Sequence, residues 1–246
     1  SIGPFGDLQA AEVARSEVEV IRAKYTSEFG EAIADHAVTI QDSGSIPVYG
    51  LEFDGQDDVV KVARSASLEP TEALTVECWA KGLGGASNAV LVRKANGADA
   101  GFVLRWKFRG DNRVYFQLAK DNLREEIWVV NPISNSAYEG EWHHFAGVYS
   151  ASGNFARLYV DGELVAEKRG YGLLENSGDL YFGSFNGSEA VRGQLDEVRY
   201  WTIARSQEQI QCSMNRSLRG DEVGLVGYWR LNEGEGQDAF DAGPYG

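Results

Sequence analysis

The stretch Gly193-Gln194-Leu195-Asp196-Glu197-Val198-Arg199-Tyr200-Trp201 has the pattern of a β-strand with an acidic residue at its entrance. Arg199 alternates with Val198 and Tyr200, which is typical of a strand that is buried on one face. Similar short stretches occur upstream, separated by turn signals such as Asp161-Gly162. This density of strands predicts an all-β chain folded as a two-sheet antiparallel sandwich.

The remaining strands are predicted from the same alternation and from the Gly, Asn and Asp turns between them. The predicted strands cover residues 51–54, 58–62, 74–81, 89–94, 101–107, 113–119, 126–131, 141–149, 155–161, 163–168, 179–184, 193–201 and 225–231. A short helix is predicted within 206–214.

Five motifs occur in a fixed order along the strand-rich part of the sequence. The motifs are Leu51-Glu-Phe-Asp-Gly-Gln-Asp-Asp-Val-Val60, Leu74-Thr-Val-Glu-Cys-Trp-Ala-Lys81, Glu141-Trp-His-His-Phe-Ala-Gly-Val-Tyr149, Leu158-Tyr-Val-Asp-Gly162 and the 193–201 stretch. In this order they resemble the LamG-like jelly roll of the concanavalin A-like lectin/glucanase superfamily, with pentraxins as more distant relatives. The resemblance implies a jelly-roll sandwich. It does not identify a ligand, because this fold hosts lectins, adhesins, enzymes and spacers.

The domain organisation follows from changes in pattern along the chain. Residues 1–40 are predicted to form an N-terminal helical extension, since apolar residues recur there at spacings of three and four. Those residues are Ala14, Val18, Ile21, Tyr25, Phe29 and Ala32. A linker at 41–50 and the jelly roll at 51–231 follow. Residues 224–246 resemble the opening segment of such domains, so the tail 232–246 either belongs to this domain or begins a following module.

Composition narrows the classes of partner. The net charge is −14, so nucleic acid and anionic membrane surfaces are poor partners, because both attract clustered Lys and Arg. No run approaches the roughly 20 apolar residues of a membrane-spanning helix. Excess carboxylate instead favours cations, and Ca²⁺ is the expected cofactor.

The family resemblance implies two calcium sites. The first is structural and would use Asp196, with Asp54 and Gly55 nearby. The second faces the ligand in pentraxins and maps onto Asn186 and Glu189, but the pentraxin run of successive acid and amide side chains is missing here. The alternative is that these residues only cap backbone groups or lie in solvated turns.

Sugar binding would require aromatic side chains that stack on sugar faces and polar groups that bind hydroxyls. Most of the tryptophans fall in strand patterns typical of a core. Trp106 and Trp128 are the better candidates, with Arg105 and Lys107 as polar neighbours. The alternative is that this face of the sheet is merely solvated.

The two cysteines, Cys78 and Cys212, do not form a Cys-x-x-Cys pair, which leaves zinc and thioredoxin-type chemistry unsupported. Members of the resembled family often have a small residue such as Ala at both positions. Cysteine at both positions therefore suggests a disulfide formed in an oxidising compartment. The alternative is two free thiols that pack as small hydrophobic groups.

Catalysis is not expected. Laminarinase-type relatives place their carboxylates on one strand as Glu-x-Asp-x-(x)-Glu, and this pattern is missing from the sequence. The sequence therefore predicts a secreted or cell-surface, non-catalytic binding or adhesion module that recognises glycans or extracellular proteins, with structural calcium. One alternative is a structural module that assembles as a homo-oligomer or with neighbouring domains. A carbohydrate-active enzyme is the weaker alternative.

Overall fold

A computed structural model describes residues 23–27, 30–34, 50–96, 99–107, 109–120, 125–169, 177–185, 189–234 and 237–245. The chain divides into two compact units, Ser1–Ser45 and Ile46–Gly246.

The first unit contains two antiparallel strands, β1 (Ala23–Ser27) and β2 (Gly30–Ala34), with Ala23 opposite Ala34 and Ser27 opposite Gly30. The predicted helix is therefore wrong over these residues. Tyr25, Thr26 and Ile33 are of residue types that favour strands, and Gly30 disfavours a helix interior. The rest of the predicted helical extension, and the linker before Gly50, lie outside the described residues.

The second unit consists mostly of strands, and nearly all of them match the predicted ones to within a few residues. The strands are β3 (Leu51–Asp54), β4 (Val60–Val62), β5 (Ala73–Gly85), β6 (Val90–Asn96), β7 (Asp99–Arg105), β8 (Tyr115–Lys120), β9 (Glu125–Val130), β10 (His143–Ser150), β11 (Phe155–Val160), β12 (Glu163–Arg169), β13 (Asp179–Phe182), β14 (Val191–Trp201) and β15 (Leu225–Trp229). Short 3-10 helices lie at Ala66–Leu68 and Asn135–Ala137.

These strands form two antiparallel sheets, which confirms the predicted sandwich. The seven-stranded sheet has the order β12-β11-β10-β5-β14-β15, with β3 also paired to β14. The six-stranded sheet has the order β4-β13-β6-β7-β8-β9. The 193–201 stretch is central, since β14 pairs with β5, β15 and β3.

The core lies between the two sheets. In β5 the residues Leu74, Val76 and Cys78 are fully buried in it, and from the opposite sheet Leu104 and Phe116 are equally buried. Alternation along β5 sends Thr75, Glu77 and Trp79 to the other face of the seven-stranded sheet.

Helix α1 (Gln207–Ser213) contacts this outer face, where Ile210 packs against Ala146, Val148 and Tyr159. It begins with a capping box, in which the Ser206 side chain accepts from the Gln209 N–H and the Gln209 side chain accepts from the Ser206 N–H. At its end, Trp79 Nε1 donates to the Met214 carbonyl oxygen at 2.8 Å. Among the described residues, no helix is both long and apolar enough to cross a membrane.

The tail after β15 packs on the jelly roll. Asp241 bridges to Trp229, and its Oδ1 accepts from Tyr228 N at 2.8 Å. Residues 237–245 therefore contact the domain that precedes them. A following module stays a prediction.

Candidate functional site

The outer face of the six-stranded sheet carries an aromatic and polar row. The register places the following residues side by side, one from each strand: Lys61, Tyr181, Arg93, Val103, Gln117 and Trp128. Neighbours across a sheet share a face, and the residues next to this row, such as Leu104 and Phe116, point into the core, so the row lies on the other face of the sheet. Most of the row is nonetheless buried. Trp128 lies on the edge strand β9 and is half-buried.

A second row is built around Tyr115, which lies opposite Arg105. The Tyr115 ring meets the Trp128 ring edge to face, with centroids 6.1 Å apart. Arg105 Nε donates to Gln117 Oε1 at 3.1 Å. We call Arg105, Tyr115, Gln117 and Trp128, together with Asp111 and Arg113 at their edge, the sheet patch.

Asp111 links the edge of the sheet patch to its aromatic centre. Its Oδ2 accepts from Tyr115 Oη at 2.5 Å, and both of its oxygens accept from Arg113 Nε. The hydrogen bond from Arg113 lowers the pKa of Asp111, so this carboxylate is charged at neutral pH. Burial, and then the bond to Asp111, raise the pKa of Tyr115 to about 12. The phenol therefore stays protonated as a donor.

Glu189 lies beside the sheet patch, and its ion pairs weigh against the ligand-facing calcium site, which stays a prediction. Its Oε2 accepts from Arg93 Nη1 at 2.7 Å and lies 3.3 Å from Arg105 Nη1. Two guanidinium groups on one carboxylate neutralise its charge, and they repel any further cation such as Ca²⁺. Its predicted partner Asn186 lies outside the described residues.

Trp106 is part of the core, so its predicted role in ligand binding is wrong. It is fully buried, and its ring meets Phe145 with centroids 5.8 Å apart. It extends the inward alternation of Phe102 and Leu104, and Gly82 leaves room for its ring. Trp128 and Arg105 do lie on the outer face, where Trp128 is half-buried, whereas Arg105 is only 4% exposed and so offers a ligand little contact. Lys107 is half-buried beyond the end of β7, and its ligand role stays a prediction.

The predicted structural calcium set does not come together. Asp54 lies opposite Arg192 in the register, four residues before Asp196, which is about 13 Å along the strand at about 3.3 Å per residue. Asp196 is instead buried opposite Trp79, where its Oδ1 accepts from Glu197 N at 2.9 Å. Burial, and then the nearby Glu197, raise the pKa of Asp196 to about 7.

Asp54 instead forms an acidic cluster with Asp57 and Asp58, whose ligand oxygens all lie within 4.8 Å of one another. Carboxylate oxygens suit Ca²⁺, which takes six to eight oxygen ligands. However, all three side chains are exposed, both oxygens of Asp54 accept from Gln56, and Asp58 Oδ2 accepts from Asp54 N. The cluster therefore offers a partial ligand set at most.

The predicted disulfide is wrong, since Cys78 and Cys212 are free. The Cys78 side chain points into the core between the sheets, whereas Cys212 is exposed on α1, which contacts the opposite face of the same sheet. The thickness of the sheet separates the two sulfur atoms. Burial raises the pKa of the Cys78 thiol well above its usual range.

A cleft that the sequence did not reveal lies beside β3. It has a volume of about 830 Å³ and is lined by residues 50–53, 58–60, 231–234 and 237–239. We call it the acidic cleft, because Glu52, Asp58, Glu233 and Asp238 line it and no Lys, Arg or His does. Its walls come from segments far apart in sequence, so no local motif predicts it.

Comparisons with known proteins agree with this geometry. A laminin G-type family model of the concanavalin A-like lectin/glucanases superfamily matches residues 54–211. Pappalysin-1 of Mus musculus is 25% identical over an alignment of 187 residues that covers 69% of this chain and 11% of that protein. The chain thus spans about a tenth of the length of this relative.

Two solved structures share the fold. A proposed carbohydrate-binding protein from Bacteroides ovatus has a TM-score of 0.60 at 20% identity, over 78% of this chain and 56% of its own. The CBM40 domain of a Ruminococcus gnavus IT-sialidase, bound to α2,3-sialyllactose, has a TM-score of 0.51 at 15% identity, over 68% of this chain and 96% of its own. At these identities the likeness concerns the fold.

Proposed function

Since the chain belongs to the concanavalin A-like lectin/glucanase superfamily as a laminin G-type domain, we propose that it is a non-catalytic module that binds a glycan through the sheet patch. The observation that carries this proposal is the half-buried Trp128, whose ring packs edge to face on the buried Tyr115, beside the exposed side chains of Asp111 and Arg113. Binding sites combine aromatic surface with a few fixed polar groups in this way.

The polar groups are held in place before any ligand arrives. Asp111 accepts from Tyr115 and Arg113, and the Asp111 and Arg113 side chains are accessible to a ligand. Gln117 accepts from Arg105, and this buried pair supports the sheet patch from within. Groups that are already ordered lose little freedom on binding. The glycan-bound CBM40 domain and the carbohydrate-binding assignment of the Bacteroides ovatus protein support a sugar ligand.

The test is a glycan array followed by calorimetry on the best sugar. Trp128→Ala should weaken binding about tenfold or more, as expected for a central aromatic contact. Phe240→Ala is the matched control, because Phe240 is an exposed aromatic residue outside the sheet patch. The thermal melts of both variants must match the wild type. Equal binding by Trp128→Ala and wild type contradicts the site, and turnover of an oligosaccharide contradicts the non-catalytic proposal.

Calcium is proposed as a structural ion at Asp54, Asp57 and Asp58. The closeness of their carboxylates supports this, and the hydrogen bonds that they already accept weigh against it. Asp57→Asn with Asp58→Asn should then abolish any rise in melting temperature that calcium produces and EDTA reverses. A calcium-dependent rise that survives in this double variant places the ion elsewhere.

A secreted or cell-surface setting is also proposed. The acidic composition and the family are compatible with it. The cysteines no longer support an oxidising compartment, because both are free thiols.

A further inference from the structure

The strand β3 has one open edge, and this edge lies at the acidic cleft. β3 pairs with β14 only, while β15 pairs with the other end of β14. Asp54 N donates to Asp58 Oδ2, so the Asp54 backbone faces away from β14. By the alternation of an antiparallel pair, the N–H and C=O of Glu52 face the same way. In the part of the chain that the structure describes, no backbone group forms a hydrogen bond with the Glu52 N–H or C=O.

The acidic cleft has room for a chain along this edge. Its volume of about 830 Å³ falls in the range of pockets that bind drug-sized ligands or short peptides. Residues 231–234 also line the cleft, and within the described segments no backbone hydrogen bond joins them to β3. Phe53 and Leu231 are buried beneath it, and Leu51 and Val59 are exposed apolar residues at its rim.

The charge of the cleft selects the chemistry of its occupant. Four carboxylates line it, and Asp54 and Asp57 lie next to Asp58 at its edge. Among the described residues, the carboxylates of Glu52 and Asp238 have no hydrogen bond or ion pair, and thus remain available to a cationic partner. A like-charged or strictly apolar segment would leave this charge uncompensated.

We propose that the acidic cleft binds an extended, basic segment of a partner protein, which adds to the open edge of β3 as a further strand. The backbone of the segment pairs with Glu52, its Lys or Arg side chains meet Glu52 and Asp238, and its apolar side chains cover Leu51 and Val59. Strand addition of this kind takes its affinity from main-chain hydrogen bonds and its specificity from the side chains. The site is separate from the sheet patch.

Three labelled peptides test this inference by fluorescence polarisation at about 50 mM NaCl, where charge contributes most. Lys-Val-Lys-Val-Lys, the valine peptide, should bind, and Glu-Val-Glu-Val-Glu should not. The same lysine and valine peptide with N-methylated lysine backbone nitrogens keeps the charge but lacks the N–H groups that face β3, because residues opposite each other share a face, so it should bind at least about fivefold more weakly. No binding of the valine peptide, or equal binding of both basic peptides, would overturn the proposal.

Variants locate the site. Glu52→Gln with Asp238→Asn should weaken binding of the valine peptide about fivefold or more. Glu139→Gln with Glu141→Gln removes the same charge from exposed positions outside the cleft and is the matched control. Equal losses in the two double variants indicate diffuse attraction to an acidic protein and overturn the inference. Trp128→Ala should leave peptide binding unchanged, which separates this site from the proposed glycan site.

Hydrogen exchange tests the backbone pairing without any variant. The valine peptide should slow exchange of the Glu52 amide, which faces the cleft. The Leu51 and Phe53 amides face β14 and serve as internal controls. Unchanged exchange at Glu52 with bound peptide would overturn strand addition.

Discussion

Arg205 Nη1 donates to Glu77 Oε1 across 2.7 Å, and both side chains are buried beneath α1. Glu77 Oε1 also accepts from Trp201 Nε1 at 3.1 Å. Arg205 in turn donates to the Gln209 carbonyl oxygen and the Ser213 hydroxyl of the helix. This ion pair therefore fixes α1 to the outer face of the seven-stranded sheet.

Replacing Glu77 with glutamine should lower the free energy of unfolding by about 3–5 kcal/mol, because it leaves the buried guanidinium without its counter-charge. Urea denaturation measures the change. Glu72→Gln, at an exposed position just before the same strand, should change it by less than about 0.5 kcal/mol. Similar stabilities for the two variants would contradict the importance of the buried pair.

His144 should make the protein less stable in mild acid. Burial lowers the pKa of His144 to about 4, below its ordinary value of 6.5. Between these values the unfolded chain binds more protons, so the free energy of unfolding rises as pH increases from 4 to 6.5, by up to about 3 kcal/mol. His144→Gln should remove this rise in denaturation experiments across the window. A variant with the wild-type slope would contradict the assignment.

Asp196 has the opposite effect over an overlapping window. Its pKa is raised from 3.8 to about 7, so the folded chain binds the extra proton. Its contribution to stability is fully present below 3.8 and is lost as pH rises through 7, by at most about 4 kcal/mol. Stability of Asp196→Asn should therefore increase more steeply with pH than that of wild type. A parallel pH profile would show that Asp196 ionises normally in the folded protein.

The two thiols should differ sharply in reactivity. Cys212 is exposed and Cys78 is fully buried. Iodoacetamide should therefore label one site in the native protein and two after denaturation, as counted by mass spectrometry. Cys212→Ser should abolish native labelling. A native mass two hydrogens below that of the reduced protein would restore the disulfide.

The strands were predictable because their alternation is local and both sheets share one apolar core. His143 and His144 are adjacent on β10, so alternation requires that they lie on opposite faces of the sheet. His144 is the buried one, and His143 binds Asp161. Trp106 was misplaced because its polar neighbours Arg105 and Lys107 suggested a surface strand. The absence of a side chain at Gly82 on β5 leaves the space in the core that the Trp106 ring fills, and the sequence around Trp106 does not show this.

Features that depend on distant pairing were not predictable. The register of β3 against β14 separates Asp54 from Asp196, and sequence order carries no information about this register. The Cys78 and Cys212 side chains lie on opposite sides of one sheet for a similar reason. The acidic cleft forms because the chain after β15 returns along β3, and nothing local in residues 231–239 indicates that path.

The proposed function requires that the sheet patch binds a glycan through Trp128. Calorimetry of the best sugar from the array, with wild type, Trp128→Ala and Phe240→Ala, tests it most directly. We predict binding by wild type and Phe240→Ala, and a loss of about tenfold or more in Trp128→Ala with an unchanged melt. A folded protein that binds no sugar, or that binds equally well without the Trp128 indole, would contradict the claim.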